Sequence, residues 1–218
     1  DATLTVGLVL EPTNLDIRRT SGAALDQVLI DNVYQGLVTR TQDDGIAESL
    51  ASSYDVSADG LTYTFTLAAG VTFHDGSALS ANDVVTSLQQ VKDDPEILGN
   101  ADFANVASIS APDDSTVVIT LTAPNQNFLF TLTGPAGLVF KAGDTTDLKT
   151  AANGTGPFVL DSWNQGDSIV LTRNDAYWGD AAGVAEVVLQ YIPDFTAGVN
   201  AALDGSVDVL TAVQADLA

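Results

Sequence analysis

Between residues 61 and 67, Leu61, Tyr63, Phe65 and Leu67 alternate with Thr62, Thr64 and Thr66. A period of two built from aromatic and β-branched residues predicts a half-buried strand. Asp59-Gly60 opens it as a turn, Val71 and Phe73 suggest a short further strand, and Asp75-Gly76 makes the next turn. Ser80 then stands three residues before Asp83, the spacing of a capping box. Val84, Leu88 and Val91, with Val85 beside them, supply the apolar stripe of the helix that follows.

The same patterns run through the rest of the chain. Leu4, Val6 and Leu8 alternate with Thr3, Thr5 and Gly7, predicting a strand over 3–10 that the segment 11–16 breaks. Leu25, Val28, Leu29, Asn32 and Val33 share one face of a helix over 23–35, with Gly36 as its stop. Hairpins are expected from 106–110 with 116–121, and from 158–163 with 168–173. Residues 136–140 form a short apolar run, and 141–153 read as a polar surface loop with a little helix. Residues 187–192 are a buried-type strand ending at Pro193, Phe195, Val199 and Leu203 mark a helix stopped by Gly205, and 207–210 are a last strand. The fold class is α/β: a mixed sheet with β-hairpins and flanking helices.

Charge narrows the partners. The 218 residues carry 29 acidic and 7 basic side chains, a net charge of −22. Phosphate backbones need clustered Lys and Arg, so nucleic acid is excluded, and an anionic membrane surface is disfavoured for the same reason. The acids are scattered and read as a solvated face. With no cysteine, disulfides, thiolate chemistry and zinc ribbons are ruled out.

Candidate chemistry is sparse. His74 is the sole histidine and sits in a Phe-His-Asp-Gly turn, which explains it structurally; with Asp75 alone it lacks the three or four ligands of a metal site. Gly154-Thr155-Gly156 is followed at once by Pro157 and a strand, so it is no dinucleotide loop, which requires a helix N-terminus there. Asp43-Asp44 and Asp113-Asp114 lack the alternating spacing of a calcium loop and read as solvated turns. Trp163 and Trp178 read as core packing. No catalytic residue, metal or cofactor is assigned.

Taken together, five ordered segments resemble a known family. Residues 59–88 are similar to the signature of the dipeptide-, oligopeptide- and nickel-binding substrate-binding proteins of ABC importers, family five of the extracellular solute-binding proteins, departing from it at Ala68 and Ala78. Tyr34-Gln35-Gly36-Leu37, Leu50-Ala51-Ser52-Ser53-Tyr54, Gly154-Thr155-Gly156-Pro157-Phe158 and the segment 173–179 match further family segments in the expected order. The resemblance implies the first lobe of a periplasmic-binding-protein type II-like fold over 1–218, with a β-rich subdomain over about 40–180 inserted and the second lobe absent. It implies an exported, monomeric protein at the periplasm or cell surface, lipid-anchored upstream. That protein captures a peptide or other small solute between two lobes and delivers it to permease transmembrane subunits.

Ligands in open α/β sheets gather beyond the carboxyl ends of strands. In the family the loop after the first strand and the start of the next helix line the cleft. Carried to matching positions, this nominates Glu11, Pro12, Thr13, Asn14, Gly22 and Gln27. Gly134 and Pro135 follow, with Phe103 as an apolar wall. Turn chemistry is the competing explanation for Pro12, Asn14, Gly22 and Pro135. Two other functions stay open at this point. One is a secreted carboxylate-dependent hydrolase acting on saccharides, which needs two acids facing across a cleft. The other is a structural acidic surface protein, which predicts no concavity at the end of the first strand.

Overall fold

The computed structural model describes residues 2–212. In chain order the elements are β1 (Thr3–Leu8), α1 (Ala23–Leu29), β2 (Val38–Arg40), β3 (Ile46–Glu48), β4 (Ala51–Val56), β5 (Thr62–Leu67) and α2 (Ala81–Asp93). They continue with β6 (Val106–Asp113), β7 (Thr116–Leu121), α3 (Phe128–Thr131), β8 (Phe158–Asn164), β9 (Ser168–Arg173), β10 (Glu186–Tyr191), α4 (Phe195–Asp204) and β11 (Val209–Leu210).

The strands form a mixed five-stranded sheet, β11-β1-β10-β9-β8, and an antiparallel four-stranded sheet, β4-β5-β7-β6, with β2 and β3 as a separate pair. In the first sheet β1 runs parallel to both β10 and β11, and the β8–β9 hairpin adds antiparallel strands at one edge. Both expected hairpins form, and strands within 40–180 are divided among the two sheets and the β2–β3 pair.

Each sheet has its own apolar core. The β5 alternation buries Tyr63, Phe65 and Leu67 against Val84, Leu88 and Val91 of α2, with Phe103, Val117, Ile119 and Phe128. Full burial of each such side chain stabilises by about 1.5–3 kcal/mol. The second core gathers Leu8, Leu25, Leu29, Tyr34, Phe158, Ile169 and Leu171 beneath the first sheet. The capping box at α2 forms, with the Ser80 N–H donating to Asp83 Oδ2 at 2.8 Å. Asp83 Oδ1 accepts from the Ala142 N–H at 2.8 Å, so one carboxylate caps the helix and fastens the following loop.

Two predicted helices change. The helix expected over 23–35 ends at Leu29, because Asp31 takes a left-handed φ of 61°. Asn32 turns back to donate to Gln27 O at 3.0 Å and Val28 O at 3.3 Å. The carbonyls of Asn32 and Val33 are thereby free to accept from the Phe158 and Gly156 N–H groups, at 2.9 and 3.0 Å. Residues 141–153 hold turns and no helix. There Asp144 and Asp147 accept from backbone N–H groups two residues on, local bonds that compete with helix formation.

The segment 154–156 joins the two cores. A Cβ on Gly154 would lie 1.8 Å from Val33 O, and one on Gly156 would lie 2.3 Å from Asn32 O. Both glycines are therefore required by close backbone approach. On the other side His74 N–H donates to Gly154 O at 2.8 Å, and the imidazole takes the Gly154 N–H at Nδ1 (3.3 Å) and contacts Gly156 O through Nε2 (3.1 Å). That pairing fixes the neutral tautomer with its proton on Nε2. Burial lowers the His74 pKa from 6.5, outweighing the hydrogen bond to Gly156 and the charge of Asp75.

Gly154→Ala should cost about 1–3 kcal/mol in urea unfolding. Gly183→Ala, where an added Cβ meets nothing within 4 Å, should stay within about 0.5 kcal/mol of the native chain. Because the folded state holds His74 neutral, the unfolded chain binds the extra proton first. The stability contributed by His74 is full above pH 6.5 and is lost as pH falls from 6.5 towards the lowered folded value. Unfolding curves of His74→Gln across that window should lack this increment; an unchanged pH dependence would show that the imidazole is not the group responsible.

Candidate functional site

The sheet topology makes one end of the first sheet special. β10, β1 and β11 are parallel, so their carboxyl ends lie together. Ile192 N–H donates to Leu8 O at 2.7 Å and Thr211 N–H to Gly7 O at 3.1 Å, tying the three exits to one another. Gly7 leaves room there for the Leu210 side chain, whose Cδ2 would lie 2.7 Å from an added Cβ. Leu10, just beyond β1, is 61% exposed, an apolar side chain left uncovered at this end.

Glu11, Pro12 and Thr13 line a concavity of about 340 Å³ together with Trp163 and Gln165. The β8–β9 turn reaches this end because β9 is antiparallel to β10, which sets Ser168 opposite Gln190. Glu11 Oε1 accepts from the Gly166 N–H at 2.8 Å, holding the loop after β1 against that turn. Tyr191 is close by, its phenol pushed up to about 12 by burial and by the charge of Glu11. The indole N–H of Trp163 and the hydroxyl of Tyr191 are buried and face each other, the indole N–H lying towards the phenol oxygen outside ideal hydrogen-bond geometry.

The other expected residues fall elsewhere. Asn14 faces its own turn: its Oδ1 accepts from Asp16 N–H and Thr20 Oγ1, both at 2.9 Å. Gly22 is the N-cap of α1 in an extended conformation with open space where a Cβ would stand, and Gln27 is exposed on α1. Phe103 is 1% exposed and packs edge-on against Phe128 at 5.8 Å, so it is a core residue and offers no wall to an open concavity.

Gly134 and Pro135 line a separate concavity of about 570 Å³ with Asp26, Ile30, Asp31, Arg40, Asp102 and Phe130. Burial raises the carboxyls of Asp26 and Asp31, the latter opposed by a hydrogen bond from Thr39. Phe130 is 44% exposed, and the Arg40 guanidinium lies 5.0 Å over its ring while pairing with Asp44 at 2.7 Å.

Of the residues nominated from sequence, the structure brings Glu11, Pro12 and Thr13 together, beside Trp163, Gln165 and Tyr191, which were not nominated. Trp163 read as core packing from its hairpin position in a family-like segment, and it does pack against the second core, while the pairing of β8 through β9 to β10 also brings it beside Glu11. Trp178 likewise packs against the first core, donating through Nε1 to Gln35 Oε1 at 3.3 Å. Among the described residues no group of three His, Cys, Asp or Glu is placed to hold a metal ion, and no helix is long and apolar enough to cross a membrane.

Comparison with known proteins follows the same lines. The family profile described as bacterial extracellular solute-binding proteins, family 5 Middle, matches residues 45–218. The glutathione-binding protein GsiB of Pectobacterium atrosepticum is 35% identical over 183 residues, covering 82% of this chain and 35% of that protein. The binding protein AgaA from A. tumefaciens R10, solved with agropinic acid, superposes with a TM-score of 0.89 at 30% identity, covering 96% of this chain and 43% of its own. The ABC transporter-associated periplasmic binding protein DppA from Helicobacter pylori, solved with peptide STSA, gives 0.89 at 27% identity over 99% and 47%. The chain thus spans about a third of the length of the curated relatives it matches.

Proposed function

The chain belongs to the bacterial extracellular solute-binding proteins of family 5, and we propose that it forms the first of two lobes of an ABC-importer receptor. The observation that carries this reading is the convergence of Glu11, Pro12, Thr13, Trp163 and Gln165 in one concavity at the carboxyl ends of β1 and β10. Capture of a solute makes and breaks no covalent bond, so no residue is given a catalytic role. The family assignment supports solute binding and lends nothing to a saccharide hydrolase.

In this proposal a peptide, or a small solute of similar chemistry, sits against the loop after β1, a second lobe closes over it by hinge motion, and the closed form docks on the permease. The relatives named for glutathione and solved with a peptide support a ligand of this class. Thr13 and Gln165, which line the concavity, then supply donors for ligand carbonyl or carboxylate oxygens. Gly22 and Gln27 at the exposed start of α1, and Gly134 and Pro135 at the acidic concavity, extend the surface that faces the second lobe. The receptor acts as an extracytoplasmic monomer, tethered by a lipid anchor upstream of this segment.

Isothermal titration of the full gene product against a library of short peptides tests the reading. At least one peptide should bind saturably with a change in Trp163 fluorescence, and Glu11→Ala should weaken it about tenfold, the loss expected when one charge-assisted contact is removed. Binding of sugars but of no peptide would overturn the ligand class. Micromolar binding by residues 1–218 alone would overturn the two-lobe mechanism.

A further inference from the structure

Two cavities meet at Arg18, and they share no lining residue with either concavity described above. The larger, about 620 Å³, lies between the segment 16–19 and α2; the smaller, about 210 Å³, lies between α2 and the loop after Phe140. Arg18, Thr86, Gln90 and Leu148 line both. We propose that the smaller cavity is a binding site for a small carboxylate, held by Arg18.

Arg18 is only 9% exposed, and among the described residues no carboxylate oxygen lies within ion-pair distance of it. Its guanidinium donates to two neutral acceptors, Gln90 Oε1 at 2.5 Å and Ser87 O at 3.0 Å, and stacks 4.7 Å from the centre of the Phe140 ring. A guanidinium carries five N–H donors in a planar fork, so three are left for the cavities. A buried cation is costly unless an anion compensates it.

The contrast with the other cations sharpens the point. Arg19 pairs with Asp94 at 2.7 Å, Arg40 with Asp44 at 2.7 Å, Lys141 with Asp75 at 2.6 Å and Arg173 with Asp175 at 2.8 Å. In a chain with 29 acids and 7 bases, Arg18 is buried without an ion pair, whereas each of the other three arginines pairs with an acid. Asp144 lines the same cavity, but its oxygens accept from Thr146 and from Asn153 Nδ2, at 2.8 Å each, and not from Arg18. Asp16 and Asp94 act on Arg18 through space without pairing with it, and Asp144 lines the smaller cavity, so this acidic setting selects a monoanion over a dianion. The planar fork suits a carboxylate, which it grips with two parallel bonds.

The test follows backbone amides of 86, 87 and 146 by ¹H–¹⁵N NMR as sodium acetate, inorganic phosphate or sodium chloride is added to the purified chain. Acetate should give saturable shifts, weakened about tenfold or more in Arg18→Gln, the scale of a lost charge-assisted hydrogen bond. Thr86→Trp keeps Arg18 and fills the shared cavity, so it should abolish the shifts and carries the test if Arg18→Gln does not fold. Equal responses to acetate and chloride, tighter binding of phosphate than of acetate, or acetate shifts that survive Thr86→Trp would each overturn the assignment.

Discussion

The rest of the structure depends on one close approach: the backbone of 154–156 pressed between Val33 and His74. Side chains cannot intrude there, because a Cβ at either glycine would overlap a carbonyl oxygen. The strap gives Asn32 and Val33 their hydrogen-bond partners on one side and takes three contacts from His74 on the other. Gln35 completes the joint. It accepts through Oε1 from Thr155 Oγ1 and Trp178 Nε1 and donates through Nε2 to the Tyr177 hydroxyl. This polar joint is almost wholly satisfied, which is what makes a polar group at the boundary of two cores stabilising.

The joint also explains which parts of the fold could be read from the sequence. Local signals were legible where local energetics decide: the β5 alternation, both hairpin turns, the Ser80–Asp83 cap and the Gly205 stop, which takes φ 80° at the end of α4. They misled at residues 30–35. The apolar spacing there fits a helix, but Val33 and Tyr34 are buried in the second core from a non-helical segment, and their neighbours' carbonyls are committed to the strap. Tertiary hydrogen bonding overrode a weak intrinsic preference. The Gly-Thr-Gly-Pro segment was correctly separated from a phosphate loop, yet its role needed a partner 120 residues away.

The candidate site was legible in the same uneven way. The end of a first strand can be found from a broken alternation, so Glu11, Pro12 and Thr13 were within reach. Trp163 and Tyr191 join them through the order of strands in the sheet, which the sequence of one chain does not display. Phe103 illustrates the converse, since an aromatic residue next to a loop can equally be the centre of a core. Charge added little to the search: with 29 acidic residues, the acids of the second concavity do not stand out until burial shifts Asp26 and Asp31.

Shape then bears on mechanism. Sites that hold small ligands tightly bury most of the ligand surface. The concavity at Glu11 is walled by the loop after β1, the end of β8 and the β8–β9 turn, and Leu10 beside it is exposed. Such a surface orients a ligand through a few donors while leaving one face of it in water. In the proposed receptor the remaining burial comes from the second lobe, which gains its own apolar contact by covering Leu10. On the two-lobe proposal, ligand and opposing lobe therefore stabilise one another's contact with this end of the sheet. That mutual dependence couples occupancy to closure, because a ligand can shift the equilibrium only by what it gains in the closed state.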